Sequence, residues 1–349
     1  MVEKFRVALS GDFRKADGSP TYTDFDLAPL RAATDVEIAF LDAVNPLRAD
    51  QLEDFDSLIL LAHRFLAESV PKSGRLAVVA RFGVGYDTVD VEACTMAGIA
   101  LVITPDGVRR PVAMSILTLM LALTGKLVIK DRLAREAADG FAKRSAHMGV
   151  GLVARTLGSI GIGNIGAETF RMAKPFGMRF IAHDPFADKT IAAELGIELV
   201  SLDDIFRQAD IISVSCPLTP QTHHLVNAAR LALMKPTAYL INTARGPIVD
   251  QKALTAALQE RRIAGAGLDV LEQEPPDSDD PILKLDNVIL SPHALCWTDQ
   301  CFAGNGAADV NAVLEVQHGR IPRGVVNRAV LETPSWNNRL MDFSRRFGG

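Results

Sequence analysis

The sequence predicts an α/β protein built from two doubly wound parallel sheets. Short, unbroken apolar runs alternate with helix-length polar segments, and this alternation occurs in two series separated by a long apolar helix. A glycine-rich turn, Gly161 to Gly166, directly follows the first apolar run of the second series. With 349 residues, the chain is also long enough for two domains.

The first series lies within residues 1–106. Its runs are apolar throughout, which is typical of strands that are buried on both faces of a parallel sheet. They predict one α/β unit with strands at Phe5–Leu9, Val36–Phe40, Ser57–Leu61, Leu76–Ala80 and Ile99–Ile103.

The segment between the two series begins with a turn signal, Thr104 to Gly107. A long helix from about Pro111 to Lys130 is predicted next, because proline suits a first helical turn, where its missing N–H has no helical partner. The basic stretch from Arg132 to Gly151 is expected to be irregular.

The second series again alternates strands with helices, which predicts a second doubly wound sheet. Beyond it, the apolar pattern from Ala307 to Val316 predicts a further helix. The strands of this sheet are expected at Thr156–Ile160, Arg179–His183, Ile211–Ser215, Ala238–Asn242, Gly265–Asp269 and Val288–Ser291.

Composition argues against several classes of protein. With 48% hydrophobic residues, 23% charged residues and a net charge of -5, the chain has no general attraction to nucleic acids or anionic membranes. Its longest apolar run, Val112 to Leu123, is interrupted by Ser115 and Thr118, so no membrane span is expected. Four cysteines and an N-terminus without a continuous apolar core favour a cytoplasmic location.

A metal site was considered near the end of the second series. His293, Cys296 and Cys301 follow one another closely, but their spacing matches no compact zinc pattern and no fourth ligand is nearby. Ordinary thiols are the favoured interpretation, so no metal is expected.

The glycine-rich turn has the spacing of a dinucleotide-binding loop. Gly161 would allow the tight turn, Gly163 would let the backbone approach a pyrophosphate, and Gly166 would permit close helix–strand packing. A glycine-rich turn that binds no ligand is the alternative, since the string alone is a weak signal.

The strand that follows ends in Asp184. A carboxylate there can accept hydrogen bonds from the adenosine ribose and would repel a 2′-phosphate, which favours NAD over NADP. The alternative is that Asp184 is a turn residue before Pro185.

Polar side chains follow three apolar strands of the second series, where open α/β sheets bind ligands. Arg245 offers a planar fork for a carboxylate, and His293 suits proton donation because imidazole titrates near neutral pH. Glu274 could orient His293 by a hydrogen bond. Taken singly, each has an ordinary structural explanation, but their common position after strands favours a site for reducing a keto acid.

Five ordered motifs extend this pattern over nearly the whole chain: RFGVGYDTVD, GIGNIG, MKPTAYLINTARG, AGLDVLEQEPP and SPHALCWT. With them the chain resembles the D-isomer-specific 2-hydroxyacid dehydrogenase family, in the branch with hydroxypyruvate and glyoxylate reductases. The resemblance implies an NAD-dependent enzyme that interconverts a small 2-keto acid and its D-2-hydroxy acid. It further implies a homodimer, a Rossmann cofactor domain at 107–303 and a discontinuous flavodoxin-like substrate domain at 1–106 plus 304–349.

By the same resemblance, Arg245, Glu274 and His293 match the family's catalytic residues. The backbone of Val84 and Gly85 matches the site for the substrate carboxylate, and Trp297 is a candidate for the substrate pocket. The positions matching the family's cofactor contacts are Asn164 and Ile165 at the pyrophosphate, Cys216, Pro217 and Thr222 on the adenosine side, and Thr243, Ala244 and Asp269 near the nicotinamide.

The chain departs from the family pattern at Pro247, where a second glycine is common, and at Met114 and Phe141. Because of these departures, the resemblance does not identify a particular substrate. An NAD(H)-sensing regulatory protein, similar to the C-terminal binding protein corepressors, is the alternative function on the same fold. Formate dehydrogenase is a weaker alternative, because that relative carries glutamine where this chain has Glu274.

Overall fold

Two parallel sheets form the framework of the computed structural model, which describes residues 3–348. The first sheet has the strand order β2-β1-β3-β4-β5, and the second has the order β12-β11-β10-β9-β6-β7-β8. The strands of the first sheet are β1 (Phe5–Leu9), β2 (Val36–Phe40), β3 (Ser57–Leu60), β4 (Val78–Arg81) and β5 (Ala100–Ile103). Those of the second are β6 (Thr156–Ile160), β7 (Arg179–His183), β8 (Ile197–Leu199), β9 (Ile211–Val214), β10 (Tyr239–Asn242), β11 (Gly265–Leu268) and β12 (Val288–Leu290).

Helices connect the strands in both series. The α-helices among the described residues are α1 (Ala28–Ala32), α2 (Val91–Met96), α3 (Pro105–Gly125), α4 (Leu127–Arg135), α5 (Ala137–Lys143), α6 (Asn164–Ala173), α7 (Lys189–Leu195), α8 (Leu202–Gln208), α9 (Ala228–Leu231), α10 (Gln251–Gln259), α11 (Asp299–Gln317) and α12 (Pro334–Phe347). Single 3-10 turns lie at Gly11–Phe13, Ala49–Gln51, Ala67–Ser69, Arg144–His147, Lys174–Phe176, Gly246–Ile248, Pro281–Lys284 and Arg328–Glu332.

The α/β prediction with two parallel sheets is confirmed. Every pairing within the two sheets is parallel, as buried apolar strands joined by helices require. Among the predicted strands, β4 has the largest error in a boundary. Its predicted first residue is Leu76, whereas the strand begins at Val78. The short edge strand β8 was not predicted, because only Ile197 of its three residues is buried and no pattern marks it.

The chain divides into two compact units. The first combines residues up to Val108 with those from Trp297 onward, and the second is Arg109–Cys296. In the first unit, the rings of Phe343 and Phe347 in α12 pack edge-on against Phe5 in β1, at centroid distances of 5.1 and 5.9 Å. Chain segments far apart in sequence therefore share one core in this unit.

The second unit buries both faces of its sheet. Leu240 in β10 packs into one apolar cluster, whereas its neighbours Tyr239 and Ile241 pack into another on the opposite face. Alternate residues of a strand point to opposite faces, so a strand buried on both sides has to be apolar throughout. This is the reason that unbroken apolar runs predicted these strands.

The connecting segment differs from its prediction. Helix α3 begins at Pro105 and not at Pro111, and it is followed by α4 and α5 where an irregular stretch was expected. That expectation was wrong for residues up to Lys143, because the stretch contains five alanines and three arginines, which favour helix. An ion pair one turn apart, between Arg135 and Asp131, adds to α4.

Helix α3 is also the one helix among the described residues that is long and apolar enough to cross a membrane by length and composition. Within the protein, 61% of its apolar window is buried, as in the core helix of a globular domain. Its length and composition are therefore weak evidence for a membrane span.

Candidate active site

The glycine-rich turn between β6 and α6 has the geometry of a dinucleotide-binding loop. Gly161 has a φ of +98°, and a Cβ there would lie 2.7 Å from the carbonyl oxygen of Ser215. A Cβ on Gly166 would clash with the carbonyl oxygen of Gly161, so this position requires glycine for packing. By contrast, a Cβ on Gly163 would meet nothing within 4 Å, which leaves open space where a pyrophosphate would approach the backbone.

Helix α6 begins at Asn164, directly after Gly163, with Ile165 in its first turn. The first N–H groups of a helix have no partner within the helix, and its N-terminus carries a partial positive charge. An anionic pyrophosphate would be stabilised there, so the glycine turn and the helix start fit the same group.

Asp184 lies at the end of β7 and is bonded to this turn. Its Oδ2 accepts a hydrogen bond from the backbone N–H of Ile162 at 2.9 Å, and its Oδ1 accepts one from Phe186 at 2.8 Å. A carboxylate oxygen can accept further hydrogen bonds, so Asp184 remains able to bind the hydroxyls of a ribose.

The loop after β9 contains the three residues predicted on the adenosine side. The hydroxyl of Thr222 donates to the carbonyl oxygen of Pro217 at 2.7 Å, and it accepts from the N–H of Thr219 at 2.7 Å. Thr222 therefore holds this loop in shape. Burial, with a smaller contribution from the charge of Asp184, raises the pKa of the Cys216 thiol to about 11, so this thiol is uncharged at neutral pH.

Arg245, Glu274 and His293 follow three neighbouring strands of the second sheet. Arg245 comes after β10, Glu274 after β11 and His293 after β12, and these strands are adjacent in the order β12-β11-β10. The strands are parallel, so their carboxyl ends lie at the same edge. The topology thus brings together three side chains that are distant in sequence.

Glu274 and His293 form a hydrogen-bonded pair. Nδ1 of His293 lies 2.8 Å from Oε2 of Glu274, while Oε1 of Glu274 accepts from the N–H of Leu271 at 2.9 Å. Partial burial raises the pKa of Glu274, but the bonds from His293 and Leu271 and the charge of Arg245 outweigh it and lower this pKa overall. Glu274 is therefore a carboxylate at neutral pH, which fixes the proton of His293 on Nδ1 and leaves Nε2 for a ligand.

Arg245 projects from a turn that Asn242 holds together. The side chain of Asn242 accepts from the N–H of Ala244 at 3.0 Å and donates to the carbonyl oxygen of Arg245 at 2.9 Å. Nη1 of Arg245 donates to the carbonyl oxygen of Ala244 at 2.7 Å. Thr243 and Ala244, both predicted near the nicotinamide, are half-buried in this turn.

Gly246 brings the turn of Arg245 against the turn of Glu274. A Cβ on Gly246 would overlap the carbonyl group of Leu271 and would lie 2.5 Å from the N–H nitrogen of Glu272. Both neighbours are backbone atoms and cannot rotate away. The glycine therefore sets the spacing between the two turns.

Asp269 is buried at the end of β11 and anchors the loop that carries His293. Its Oδ1 accepts from the hydroxyl of Ser291 at 2.6 Å and from the N–H groups of Ala294 and Leu295 at 3.0 and 3.1 Å. The backbone of His293 has a φ of +54° and donates to the carbonyl oxygen of Asp269 at 2.7 Å. The predicted contact of Asp269 with the nicotinamide stays a prediction beside this structural role.

Sequence reasoning missed Asn242 and Ser291. Asn242 is 1% exposed, and a buried amide at the end of an apolar strand is a signal that could have indicated a structured turn. Ser291 directly precedes a proline and carried no such signal.

The predicted substrate residues Val84, Gly85 and Trp297 belong to the first unit. Val84 and Gly85 are half-buried in the loop after β4, where the preceding Gly83 accepts from and donates to Thr104. Trp297 is 50% exposed, and its ring contacts Tyr22 and Phe302 edge-on at 5.5 and 5.6 Å. Trp297 is thus not a core residue of this unit.

Known proteins similar to this chain belong to one family of dehydrogenases. The model of the family described as D-isomer specific 2-hydroxyacid dehydrogenase, NAD binding domain, matches residues 117–294. The chain is 39% identical over 285 residues to a glyoxylate reductase of Korarchaeum cryptofilum, covering 81% of this chain and 86% of that enzyme. It is 37% identical to a D-3-phosphoglycerate dehydrogenase of Methanocaldococcus jannaschii, covering 80% of this chain but 53% of that enzyme.

Solved structures show the same fold. The apo form of D-mandelate dehydrogenase from Rhodotorula graminis has a TM-score of 0.81 at 27% identity, and the match covers 93% of this chain and 98% of that one. The structural similarity therefore extends over both units.

Proposed function

Because this chain belongs to the D-isomer-specific 2-hydroxyacid dehydrogenase family and is an NAD-dependent enzyme of that class, we propose that it reduces a small 2-keto acid, of the size of glyoxylate or hydroxypyruvate, with His293 as the proton donor. The observation that carries the proposal is the hydrogen bond of 2.8 Å between His293 and Glu274 at the sheet edge that also carries Arg245. The similarity to a glyoxylate reductase supports the small substrate.

The proton donor is His293 in its doubly protonated form. Its Nδ1 proton is held by the carboxylate of Glu274, so the proton on Nε2 is the one given to the substrate oxygen. When bound, NADH supplies the hydride that adds to C2 of the keto acid. The oxygen that gains negative charge is stabilised by the proton of His293 and by the charge of Arg245.

The substrate carboxylate is assigned to Arg245. A guanidinium is always charged and presents two parallel donors to the two oxygens of a carboxylate. Binding of a substrate carboxylate by the backbone N–H groups of Val84 and Gly85 remains a prediction from the family resemblance. Simple aldehydes and ketones without an acid group are accordingly expected to be poor substrates.

The second unit is proposed as the cofactor domain. Gly161, Gly163, Gly166 and the start of α6 would hold the pyrophosphate, and Asp184 would bind the adenosine ribose. The division into a cofactor domain at 107–303 and a substrate domain at 1–106 plus 304–349 stays a proposal, as does each residue's role.

The substrate proposal is tested by following NADH oxidation with a panel of 2-keto acids of increasing size, and by determining the configuration of the product from hydroxypyruvate. We expect glyoxylate and hydroxypyruvate to have the highest kcat/KM and the product to be the D-isomer. A preference for bulky keto acids would overturn the substrate assignment. Tight NADH binding without turnover of any keto acid would favour the regulatory alternative.

The first prediction concerns the coenzyme. A carboxylate facing a 2′-phosphate is repulsive, so we expect kcat/KM with NADH to exceed that with NADPH by roughly tenfold or more. The Asp184→Asn variant should narrow this preference, because its amide oxygen can still accept from the N–H of Ile162 while the charge is gone. Steady-state kinetics with both coenzymes measure the ratio, and equal values in the unmodified enzyme would contradict the prediction.

The second prediction concerns pH and the Glu274→Gln variant. A carboxylate favours imidazolium over neutral imidazole, so its removal should move the alkaline fall in the reduction rate to lower pH. Because the pKa of Glu274 is lowered, its charge is lost only when the pH falls through this lowered value, and the native effect persists at neutral pH. The measurement is the pH profile of kcat/KM for the keto acid in both proteins.

The matched control is Asp277→Asn, which removes an exposed charge from the same loop; Asp277 is bonded to Gln273 and not to His293. In the pH profile of kcat/KM, the alkaline fall of this variant should coincide with that of the unmodified enzyme. If the alkaline fall of Glu274→Gln stays in place or moves to higher pH, Glu274 does not support the proton donor.

A homodimer in the cytoplasm is proposed from the family resemblance. Light scattering of the purified protein should give twice the mass of one chain. A mass equal to one chain across the working concentration range would exclude the dimer.

A further inference from the structure

A cluster of side chains that could hold a metal ion lies in the second unit, and one of its members is in the turn that also carries Glu274. It consists of His223, His224 and Glu272, and one ligand atom from each lies within 4.8 Å of the other two. Nε2 of His224 is 2.7 Å from Oε1 of Glu272, and the two imidazole rings stack with centroids 4.1 Å apart. No sequence motif indicates this cluster, because Glu272 is distant in sequence from the histidine pair.

Hydrogen bonds hold this histidine–glutamate cluster in position. Oε2 of Glu272 accepts from the N–H of Gln251 at 3.0 Å, and the N–H of Glu272 donates to Oε1 of Gln251 at 2.9 Å. The N–H of His224 donates to the carbonyl oxygen of Pro247 at 2.9 Å. These bonds orient the carboxylate and fix the backbone of one histidine, as bonds around metal ligands commonly do.

We propose that the cluster is a binding site for a divalent transition metal ion, with Zn²⁺ as the preferred ion. Two imidazole nitrogens and one carboxylate oxygen form a ligand set that zinc accepts with water in the fourth position. Nitrogen ligands favour zinc over magnesium or calcium, which require oxygen ligands.

The geometry requires a small movement to bind the ion. Zinc bonds of about 2.1 Å place tetrahedral ligand atoms roughly 3.4 Å apart. Side-chain rotations therefore have to bring ligand atoms that are up to 4.8 Å apart closer by as much as about 1.4 Å, and the 2.7 Å pair of His224 and Glu272 has to separate slightly. The side chains of His224 and Glu272 are 36% and 34% exposed, so an ion can reach them from solvent.

Bound metal would connect two segments of the second unit. His223 and His224 lie in the loop before α9, His224 is bonded to Pro247, and Glu272 lies in the turn after β11. An ion that joins this loop to the turn after β11 should reduce local opening in both. This effect can be measured without substrate.

The test uses Zn²⁺ alone, titrated against a chromogenic chelator, and Co²⁺ as a spectroscopic probe of tetrahedral coordination. We expect one ion per chain, with affinity reduced at least about tenfold in His223→Ala, His224→Asn and Glu272→Gln. Asparagine is chosen at 224 because it tolerates the φ of +49° found there. The Gln251→Ala variant, which loses an orienting bond but no ligand, should bind about 10- to 100-fold more weakly.

The control is His147→Ala, which removes a histidine elsewhere in the second unit and should leave binding unchanged. Hydrogen exchange should slow with Zn²⁺ in peptides covering 222–225 and 270–275. Absence of Zn²⁺ binding overturns the proposal. So does a Zn²⁺ affinity in all three ligand variants that equals the affinity of the unmodified protein. Binding that is lost in His293→Ala but retained in the ligand variants also overturns it, because the ion then binds at the His293–Glu274 pair.

Discussion

Replacing His293 with alanine is expected to lower kcat/KM for keto-acid reduction by about 100- to 10,000-fold, the usual contribution of a general acid. The variant has no group to protonate the substrate oxygen, and Glu274 loses its partner at 2.8 Å. NADH binding should be largely retained, because the glycine turn and Asp184 lie in other loops. The measurements are steady-state kinetics with the keto acid and fluorescence titration with NADH.

Three controls make the His293→Ala result specific. The His147→Ala variant removes a histidine outside the candidate site and should keep its activity. Thermal unfolding should show that His293→Ala is folded, and added imidazole should restore part of the rate. Activity within a few-fold of the unmodified enzyme would exclude His293 as the proton donor.

The Gly246→Ala variant is expected to lose about 100-fold in kcat/KM although it changes no reacting group. Its methyl group would overlap the carbonyl group of Leu271, so the turn of Arg245 has to move away from the turn of Glu274. A displacement of about 1 Å between groups that act together can cost about this factor. The loss should appear in kcat/KM for keto acids.

Gly151→Ala is the matched control for Gly246→Ala, because a Cβ on Gly151 meets nothing within 4 Å. It introduces the same methyl group in the same unit and should leave kcat/KM unchanged. Circular dichroism and thermal unfolding separate a local displacement from loss of the fold. Unchanged kinetics in Gly246→Ala would show that the spacing of the two turns does not control the reaction.

Much of the fold was predictable because buried strands have a simple pattern of apolar residues in the sequence. Strands such as β9 and β10 are covered on both faces, so all their positions are buried and their apolar runs are unbroken. The comparisons confirm the predicted family, enzyme class and NAD coenzyme. Helices α4 and α5 were missed because their polar, mostly exposed residues give no periodic pattern, and only propensity marked them.

The candidate site was predictable in its residue types but not in its supporting bonds. Arg245, Glu274 and His293 stand after strands, so topology alone implied that they meet at one edge. The bonds of Asn242, and those that Asp269 makes to Ser291 and its loop, depend on loop geometry, which no spacing rule contains. The histidine–glutamate cluster could not be predicted for the same reason, since turns from separate segments form it.

Strands β10, β11 and β12 are consecutive both along the chain and across the sheet. Arg245, Glu274 and His293 therefore lie within one continuous stretch of the chain, and so do the turns that Asn242 and Asp269 support. Recombination at a single pair of crossover points could transfer the whole stretch between related chains with its internal bonds intact. Chimeras made in this way should tolerate exchange better than those with a crossover between β10 and β12, which would separate Gly246 from the backbone it packs against.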